Sequence, residues 1–422
     1  MKLFFKIFFL SLFFNIGYSQ TNPKEQAVNY TEFKGKVINA DSKEPLPFAN
    51  LSLIGTNITS ITNSNGEFII KIPKTELSSK VRISFIGYKT ETIELDSFEE
   101  KNKTISLDVF ISPLSETIIS IPKNVDDLVR KTLSNVNNNY LEDHNIMTAF
   151  YRESIKRKKR NLSLSEVVVD IYKSPYKRYQ KREIIDLLKI RKDTDYSRLD
   201  TVAFKLAGGP YNTLTLDLIK YHDNFIPLFF MSNYDFWIHR TSEIDGLPVY
   251  VVKFKQKDEI KDPLFYGELF IDGENKTLLS AIFSLNVSDK LKSSRLFVKK
   301  KPRNANVWPV KANFRVDYTQ NNGKWYYNYS NSSIDFKVNW DKKIFNSTYS
   351  ISSEMLITDW RSNSNLNYPE KNKIIKPSII LADSKTGFQD LDFWGKDNII
   401  EPDNSIENAI RKIQRKLKRI RD

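Results

Sequence analysis

The feature that most constrains the fold is an alternation of apolar and polar side chains, broken at short intervals by turn-forming residues. It runs from about Phe33 to Ile111 and returns from Met147 to Trp360. Successive side chains of a β-strand point to opposite faces, so this alternation predicts strands with one buried face. Closely spaced turns join neighbouring strands in antiparallel pairs. The chain is therefore predicted to be mainly β, with two β-rich regions.

Residues 31–112 are predicted to form a small antiparallel β-sandwich. Two prolines place a turn at Asp41–Pro47, because proline cannot donate a ladder hydrogen bond. The Asn-Gly step in Asn63–Gly66 favours the positive φ angles of a tight hairpin. Gly87 and Tyr88 supply the last sharp turn. The apolar positions of these strands are Val37, Ile38, Leu51, Leu53, Phe68, Ile70, Ile72, Val81, Ile83 and Phe85.

Four stretches of this module carry a family resemblance. Together they resemble the carboxypeptidase-like regulatory domain, a transthyretin-like, Ig-like sandwich that also occurs at the amino terminus of TonB-dependent receptors of Gram-negative bacteria. The resemblance implies a cell-envelope protein and a module without chemistry of its own. The family often has Asp where this chain has Asn63, which favours a turn over a calcium site. The stretches are G-x-V at Gly35–Val37, EPLPFANLSLIGT at Glu44–Thr56, TNSNGEF at Thr62–Phe68 and SFIGYKT at Ser84–Thr90.

The linker, residues 113–145, is predicted to hold a strand and a helix. The strand-like run ETIISI ends at Pro122. Asn124 then caps a helix whose first turn carries Asp126 and Asp127, where acidic groups complement the exposed backbone amides. Apolar residues recur at helical spacing up to Val136. We expect this helix to pack on a sheet.

Residues 146–360 are predicted to form the second domain, a curved antiparallel sheet or half-barrel with a packed helix. Consecutive hairpins turn at Asp245-Gly246 and at Asp272-Gly273. Within residues 180–230, REIIDLLKI suits a helix or a strand, and LAGGPYNTLTLDLIKY suggests a Gly-Gly-Pro loop before a short helix. The stretch YGELFIDGENKTLLSAIFSL resembles the half-barrel of periplasmic lipoprotein carriers. AFYRES, YDFWIHR, GELFID, KWYY and DNIIEPDNSIENAI resemble an uncharacterised family of exported envelope proteins.

The last region, residues 361–422, is predicted to be a loop to about Asn398 and then a basic amphipathic helix capped by Ser405. Two interpretations of the helix stay open. Its narrow apolar stripe either lies in an anionic lipid surface or docks on its own domain, with basic residues complementing its carboxyl end. The stripe consists of Ile406, Ala409, Ile410, Ile413, Leu417 and Ile420.

The net charge is +14, from 65 basic and 51 acidic residues, and three clusters concentrate it. They are Ile155–Arg160, Lys290–Arg303 and the carboxyl-terminal helix. Solvated hairpin tips and helix faces are often basic, so a purely solvated role is one interpretation. The other is contact with anionic lipid or an outer-membrane protein; nucleic acid is not expected, because no nucleic-acid-binding motif accompanies the charge. Candidate lipid or partner contacts are Lys299, Lys300, Lys301, Arg415, Lys416 and Arg419.

Residues 1–20 read as a signal peptide. Lys2 and Lys6 accompany an apolar run from Leu3 to Phe14, which is shorter than the roughly 20 residues of a membrane-spanning helix. The chain has no cysteine, which excludes disulfides, thiol catalysis and amino-terminal lipidation. We therefore expect an exported periplasmic protein that is peripheral at the outer membrane and is not a lipoprotein.

The sequence shows no recognisable catalytic or metal-binding motif. His144, His222 and His239 begin no HxxE or HExxH pattern. There is no GxSxG elbow, and a set resembling the penicillin-recognising motifs (SIPK at 120–123, SDK at 288–290, KTG at 385–387) lacks the expected structural context. We expect no enzyme activity and no cofactor. A hydrolase or peptidase with an unrecognised site, and an accessory factor of an outer-membrane transporter, stay as alternatives.

The sequence thus predicts a non-catalytic cell-envelope binding or scaffold protein. Its ligand would be apolar or amphiphilic and would lie on the concave side of the second domain. Tyr266, Leu269 and Phe283, on paired strands, motivate this location. An outer-membrane partner could take the same side.

Overall fold

The computed structural model describes most of the chain after residue 29. The signal residues 1–20, the ETIISI run, the Asp245-Gly246 turn and Lys299–Lys301 lie outside this part, as do Ser120 and the KTG of 385–387. The described ranges are 30–95, 103–110, 122–134, 136, 139–158, 160–178, 183–194, 208–244, 247–298, 303–321, 323–341, 345–383 and 391–421.

The amino-terminal module is a β-sandwich, as predicted. One sheet has the order β4-β1-β7 and the other the order β3-β2-β5-β6. Eight of the ten predicted apolar positions, among them Val37, Leu51 and Phe68, meet between the sheets in one buried cluster. Phe85 is only partly buried against this cluster, and Ile38 lies outside it. β1 and β7 pair in parallel, which the short turns could not indicate because these two strands are far apart in sequence. The strands are β1 Tyr30–Asn39, β2 Asn50–Leu53, β3 Thr59–Ile61, β4 Glu67–Pro73, β5 Lys80–Ser84, β6 Glu91–Glu94 and β7 Lys103–Leu107.

The Asn63–Gly66 turn differs from the expected hairpin. It leads from β3 to β4, which belong to different sheets, so the turn crosses from one layer of the sandwich to the other. Gly66 alone takes a positive φ, of 74°. The side chain of Asn63 fixes the bend, because its Oδ1 accepts hydrogen bonds from the backbone N–H groups of Asn65 (2.9 Å) and Glu67 (3.0 Å).

The second region is built on one antiparallel sheet of ten strands with the order β10-β9-β8-β17-β16-β15-β14-β13-β12-β11. In REIIDLLKI, which suited a helix or a strand, the residues from Ile184 onward form the start of edge strand β10. The last strand, β17, pairs with the first, β8. The first and last strands in sequence are therefore interior strands, and the two edges are β10 and β11. The strands are β8 Asn145–Arg157, β9 Arg160–Lys173, β10 Ile184–Thr194, β11 Tyr234–Ile244, β12 Leu247–Gln256, β13 Phe265–Asp272, β14 Leu278–Leu285, β15 Ala305–Asn321, β16 Lys324–Trp340 and β17 Ser347–Ser362.

Four helices of the described residues pack on one face of this sheet, which we call the helix face. They are α1 Val125–Ser134, α2 Pro210–Leu214, α3 Leu218–Tyr221 and α4 Lys290–Phe297. Asn124 caps α1 as predicted, since its Oδ1 accepts from the N–H of Asp127 at 2.9 Å. The Gly-Gly-Pro loop leads into α2, also as predicted. The helices and the strands share the largest core of the protein, so this face is packed with side chains.

The opposite face, the sandwich face, is covered by the amino-terminal module and by residues 393–400. Phe150, Val168 and Tyr329 of the sheet pack against Ile61 and Ile69 of the module in one buried cluster, which the carboxyl-terminal segment completes. Because both faces are covered, the central strands β8 and β9 are buried along almost their whole length. Alternation in these two strands therefore separates two cores instead of a core from solvent.

Four charged side chains form a row across neighbouring strands on the sandwich face. In register order they are Arg191 of β10, Glu166 of β9, Arg152 of β8 and Glu354 of β17. Glu166 is fully buried and accepts from Arg152 Nε at 2.7 Å and from Arg191 Nε at 2.5 Å. Burial acts to raise the pKa of Glu166, but the two guanidinium groups outweigh it and the pKa is lowered. Each buried charge of the row lies beside a charge of opposite sign, which offsets the free-energy cost of removing it from water.

The terminal helix, α5 Asn404–Arg421, docks on the second domain. Ile406, Ile410 and Ile413 of its stripe are buried with Leu164 of β9. The cap is Asp403 and not Ser405, because Asp403 Oδ1 accepts from the N–H of Ile406 at 2.8 Å. The Ser405 carbonyl instead accepts from Asn161 Nδ2 at 2.9 Å. This half of the stripe is thus occupied by the protein itself.

We predict that Ile410→Asp detaches α5. A charge at this buried apolar position destabilises the docked helix by about 2 kcal/mol or more, because apolar burial is lost and the carboxylate is removed from water. Amide hydrogen exchange over residues 405–413 should then rise, while exchange in β8 and β9 stays slow. Arg415→Asp introduces the same carboxylate on the exposed face and should leave protection unchanged. Equal protection in both variants would contradict the docking.

We also predict that Glu153 makes stability depend on pH. Burial raises its pKa from 4.5 to about 7. A carboxyl group with a raised pKa binds its proton more tightly in the folded state, so it favours folding at low pH. That contribution is lost as the pH rises from about 4.5 to about 7, and it amounts to at most about 3 kcal/mol.

The measurement is urea unfolding of wild type and of Glu153→Gln between pH 4.5 and pH 8. The difference in unfolding free energy should move in favour of the glutamine variant as the pH rises, because glutamine stays neutral. Parallel curves for the two proteins across this window would rule out the raised pKa.

Candidate functional site

A polar seam joins the amino-terminal module to the large sheet. Thr59 Oγ1 donates to the Ile357 carbonyl at 2.6 Å, and Asn57 Nδ2 donates to the Trp360 carbonyl at 2.8 Å. Asn328 Nδ2 donates to Asn50 Oδ1 at 3.1 Å. The pairing of β15 with β16 skips Asn328, which places it in a bulge between Tyr327 and Tyr329. The bulge aims the Asn328 side chain at the module, as bulges commonly do.

The module touches the sheet a second time through its last turn. Gly87, with φ 86°, donates its N–H to the Glu243 carbonyl of β11 at 3.3 Å. Between this contact and the polar seam the two surfaces stay apart and leave a cleft of about 360 Å³. We call it the inter-module cleft, and both modules line it. Clefts between domains are frequent ligand sites, and this volume lies at the lower end of their range.

Much of the cleft wall is apolar. From the module come Phe48, Phe85 and Ile86, and from the sheet come Leu247 and Leu279, together with Trp325. The ring of Phe48 stacks on Tyr329 with centroids 5.6 Å apart, and Phe48 holds a positive φ of 66°. A positive φ is unfavourable for a bulky residue, so the surrounding packing must hold Phe48 in this position.

Two arginines, one from each module, supply the positive charge. Arg315 Nε donates to Asp317 Oδ2 at 2.7 Å, and its guanidinium lies 5.2 Å from the centre of the Phe48 ring. Ser280 Oγ donates to the other oxygen of Asp317 at 2.5 Å. Arg82 is exposed on β5, and its side chain forms no hydrogen bond or ion pair with the residues that the structure describes. The one carboxylate of the lining is therefore already satisfied, and Arg82 is available.

This combination of groups suits a particular chemistry. Guanidinium groups present several N–H donors in a planar fork that matches carboxylate and phosphate oxygens. The amides of Asn50, Asn328 and Gln320 add polar groups to the same cleft. A ligand with an anionic head and an apolar body could satisfy both parts of the wall.

A second cluster of charges lies on the helix face but is closed. Lys173 Nζ donates to Asp217 Oδ2 at 2.7 Å, and Lys220 pairs with Glu183. All four side chains are at most 2% exposed, and Tyr318 donates to Asp217 at 2.9 Å. Burial lowers the pKa of Lys220. The cluster ties α3 to β9 and to the residue before β10, which is a structural role with no opening for a ligand.

The histidines do not assemble a metal site. His222 Nδ1 lies 3.1 Å from Asp223, its pKa is lowered by burial, and His239 is exposed on β11. In the described ranges, no group of three His, Cys, Asp or Glu side chains is arranged to hold a metal ion. Asp289 of the SDK stretch caps helix α4, Lys290–Phe297, by accepting from the N–H groups of Leu291 and Lys292.

The predicted contact residues do not come together in one described place. Lys299, Lys300 and Lys301 lie outside the described residues, and of Lys416 and Arg419 only the backbone, in α5, is described. Arg415 is exposed on α5.

The three residues that motivated a ligand site on the concave side of the second domain do not lie on one exposed surface. Leu269 and Phe283 are buried in the filled helix-face core, whereas Tyr266 is 47% exposed. Tyr266 is an odd number of positions from Leu269 along β13, so it points to the other face.

The inter-module cleft was not predicted from the sequence. Arg82 and Arg315 lie far apart in the chain, and each occurs in an ordinary alternating strand. Asn328 was not singled out from the sequence, although its polar side chain between two tyrosines of a strand is a signal that could have indicated an irregular position. No described helix is apolar and long enough to cross a lipid bilayer.

Comparisons with known proteins were made for the sequence and for the fold. Curated proteins include no match to this chain. A DUF1329 family protein from Desulfovibrio piger is 12% identical, with a TM-score of 0.22, over 57% of this chain and 93% of its own. Lipovitellin is 9% identical, with a TM-score of 0.27, over 56% and 27%. A 9R-lipoxygenase from Cyanothece is 11% identical, with a TM-score of 0.16, over 40% and 43%.

These structural likenesses are too weak to say anything about function. The sequence comparison is specific for one part of the chain. Residues 33–117 match the family described as CarboxypepD_reg-like domain, which confirms the resemblance carried by Gly35–Val37, Glu44–Thr56, Thr62–Phe68 and Ser84–Thr90. A regulatory-like module is compatible with a non-catalytic binding role. The amino-terminal module of this chain is thus a carboxypeptidase regulatory-like domain.

Proposed function

We propose that this protein is a non-catalytic binding protein of the Gram-negative cell envelope. Its ligand, in this proposal, is a small anionic amphiphile held in the inter-module cleft. The observation that carries the proposal is the pair Arg82 and Arg315, which reach one partly apolar cleft from two different modules. The protein would be exported by residues 1–20 and would act in the periplasm, in keeping with the signal-like sequence there.

Electrostatics supports an anionic head group. Asp317 is the one acidic residue among those that line the cleft, and Arg315 and Ser280 already bind it. A carboxylate or phosphate entering the cleft would therefore meet Arg82 and the remaining N–H groups of Arg315 without strong repulsion. Hydrogen bonds to charged groups are stronger than neutral ones when water is partly excluded.

The apolar body of the ligand would contact the aromatic wall. Phe48 and Phe85 line the cleft on the module side, and Leu247 and Leu279 line it on the sheet side. Removal of apolar ligand surface from water drives such contacts at roughly 25 cal/mol per Å². The cleft therefore selects amphiphiles over small inorganic anions and over uncharged alkyl chains.

The test is isothermal titration calorimetry with dodecanoate, dodecyl phosphate and dodecanol, below their micelle-forming concentrations. We predict that the two anions bind and that dodecanol binds much more weakly. Arg82→Ala should weaken anion binding about tenfold to a hundredfold, because it removes a charge-assisted hydrogen bond. Arg315→Lys keeps the charge but loses the fork, and should also weaken binding.

Arg240→Ala is the matched control, since Arg240 is exposed on β11 and does not line the cleft. It should bind like wild type. The proposal is wrong if none of the anions binds, or if Arg82→Ala and Arg240→Ala behave alike.

A further inference from the structure

Three connections meet at one end of the ten-stranded sheet, and we call the surface they form the basic rim. They are the tip of the β8–β9 hairpin, the described residues between β16 and β17, and the residues just before β15. Lys158 donates its N–H to the Thr348 carbonyl at 3.3 Å, and Asp341 donates its N–H to the Asn304 carbonyl at 3.1 Å. The three connections are therefore direct neighbours.

Phe345 is the apolar feature of this rim. It lies between β16 and β17, and 82% of its surface is exposed. Removal of its ring from water by a partner would be favourable, because apolar surface is buried.

The charges around Phe345 are mostly positive. Lys158, Arg160 and Arg303 are exposed on the rim, and Arg157 belongs to the same hairpin. Among the described residues of these three connections, Asp341 is the single acidic one. The surface is therefore suited to a partner rich in negative charge.

Helix α5 extends the positive surface. Arg160 and Lys412 line the same groove between β9 and α5, together with Asp193. On the exposed side of the helix, Arg411 is paired with Glu407, and Arg415 is exposed. The first and third basic clusters of the sequence are thus brought together by the docking of α5. Because Ile406, Ile410 and Ile413 are buried, this part of the helix offers charge to a surface and no apolar stripe.

We propose that the basic rim docks on an anionic lipid bilayer. Phe345 enters the headgroup layer, and Lys158, Arg160 and Arg303 face the lipid phosphates. The phenyl ring is removed from water in this layer, and clustered Lys and Arg side chains are attracted by the negative surface potential of anionic lipid. The proposal does not depend on the ligand of the inter-module cleft, whose arginines lie elsewhere.

The test is co-sedimentation of the full protein with vesicles of phosphatidylcholine, with and without phosphatidylglycerol, over a range of salt concentrations. Wild type should bind the anionic vesicles, and binding should fall as salt rises. Lys158→Glu combined with Arg160→Glu should reduce partitioning by more than tenfold, at about fivefold for each lost charge. Phe345→Ser should reduce it severalfold and leave the salt dependence in place.

Matched controls separate the rim from the rest of the surface. Phe229→Ser changes an equally exposed phenylalanine before β11, and Lys74→Glu with Lys89→Glu changes two exposed charges of the sandwich. Both controls should bind like wild type. Circular dichroism melting of every variant should match wild type, because the changed side chains are exposed.

Several results would overturn the docking proposal. One is that wild type does not bind anionic vesicles, and a second is that rim and control variants lose vesicle binding equally. A third is that inositol hexakisphosphate abolishes vesicle binding when its phosphate concentration only equals that of the lipid. The last result would mean that the rim binds free phosphate groups and not a bilayer. Arg82→Ala should bind vesicles normally, so failure of the cleft proposal and failure of the rim proposal can be told apart.

Discussion

The whole architecture depends on the need to cover a ten-stranded sheet on both faces. Its central strands carry apolar residues on both faces of the sheet. Tyr151 and Val169 lie on the helix face, and Phe150 and Val168 lie on the sandwich face. Neither face can be left in water, because an exposed sheet of this kind loses the free energy of burial and invites association. Helices α1–α4 pack on one face, and the sandwich with residues 393–400 covers the other.

Charged side chains are buried on the sandwich face, and their arrangement explains why the carboxyl-terminal segment holds a fixed position there. Arg152 lies in the row with Glu166 and Glu354, and it also donates to the carbonyl of Ile400 at 2.8 Å. Removal of one member would leave the others unpaired in a medium of low polarity. This row ties four strands to the carboxyl-terminal segment, and that segment in turn leads into α5.

The sandwich is smaller than the face it covers, and this mismatch creates the surfaces of interest. Where the module lifts away between the Asn328 seam and the Gly87 turn, the inter-module cleft opens. At the end of the sheet where the β8–β9 hairpin turns, the connection that carries Phe345 stays exposed. The cleft and the rim, the two sites proposed above, are thus separate surfaces on the same sheet.

The sequence alone determined the β class, the sandwich with its core positions, the cap of α1 and the strands of the second region. These follow from local rules, such as alternation, turn chemistry and capping, which act over a few residues. Strand β10 was ambiguous, because nine residues of mixed pattern suit a helix and a strand equally. The cap of α5 was misplaced by two residues, since Asp403 and Ser405 are both good caps.

Only the tertiary structure decided which surfaces exist. Four features depend on contacts between distant parts of the chain: the position of the module on the sheet, the bulge at Asn328, the docking of the Ile406 stripe and the presence of Arg82 and Arg315 in one cleft. Such contacts leave no periodic signal in a single sequence, because each residue satisfies its local pattern equally well in other arrangements.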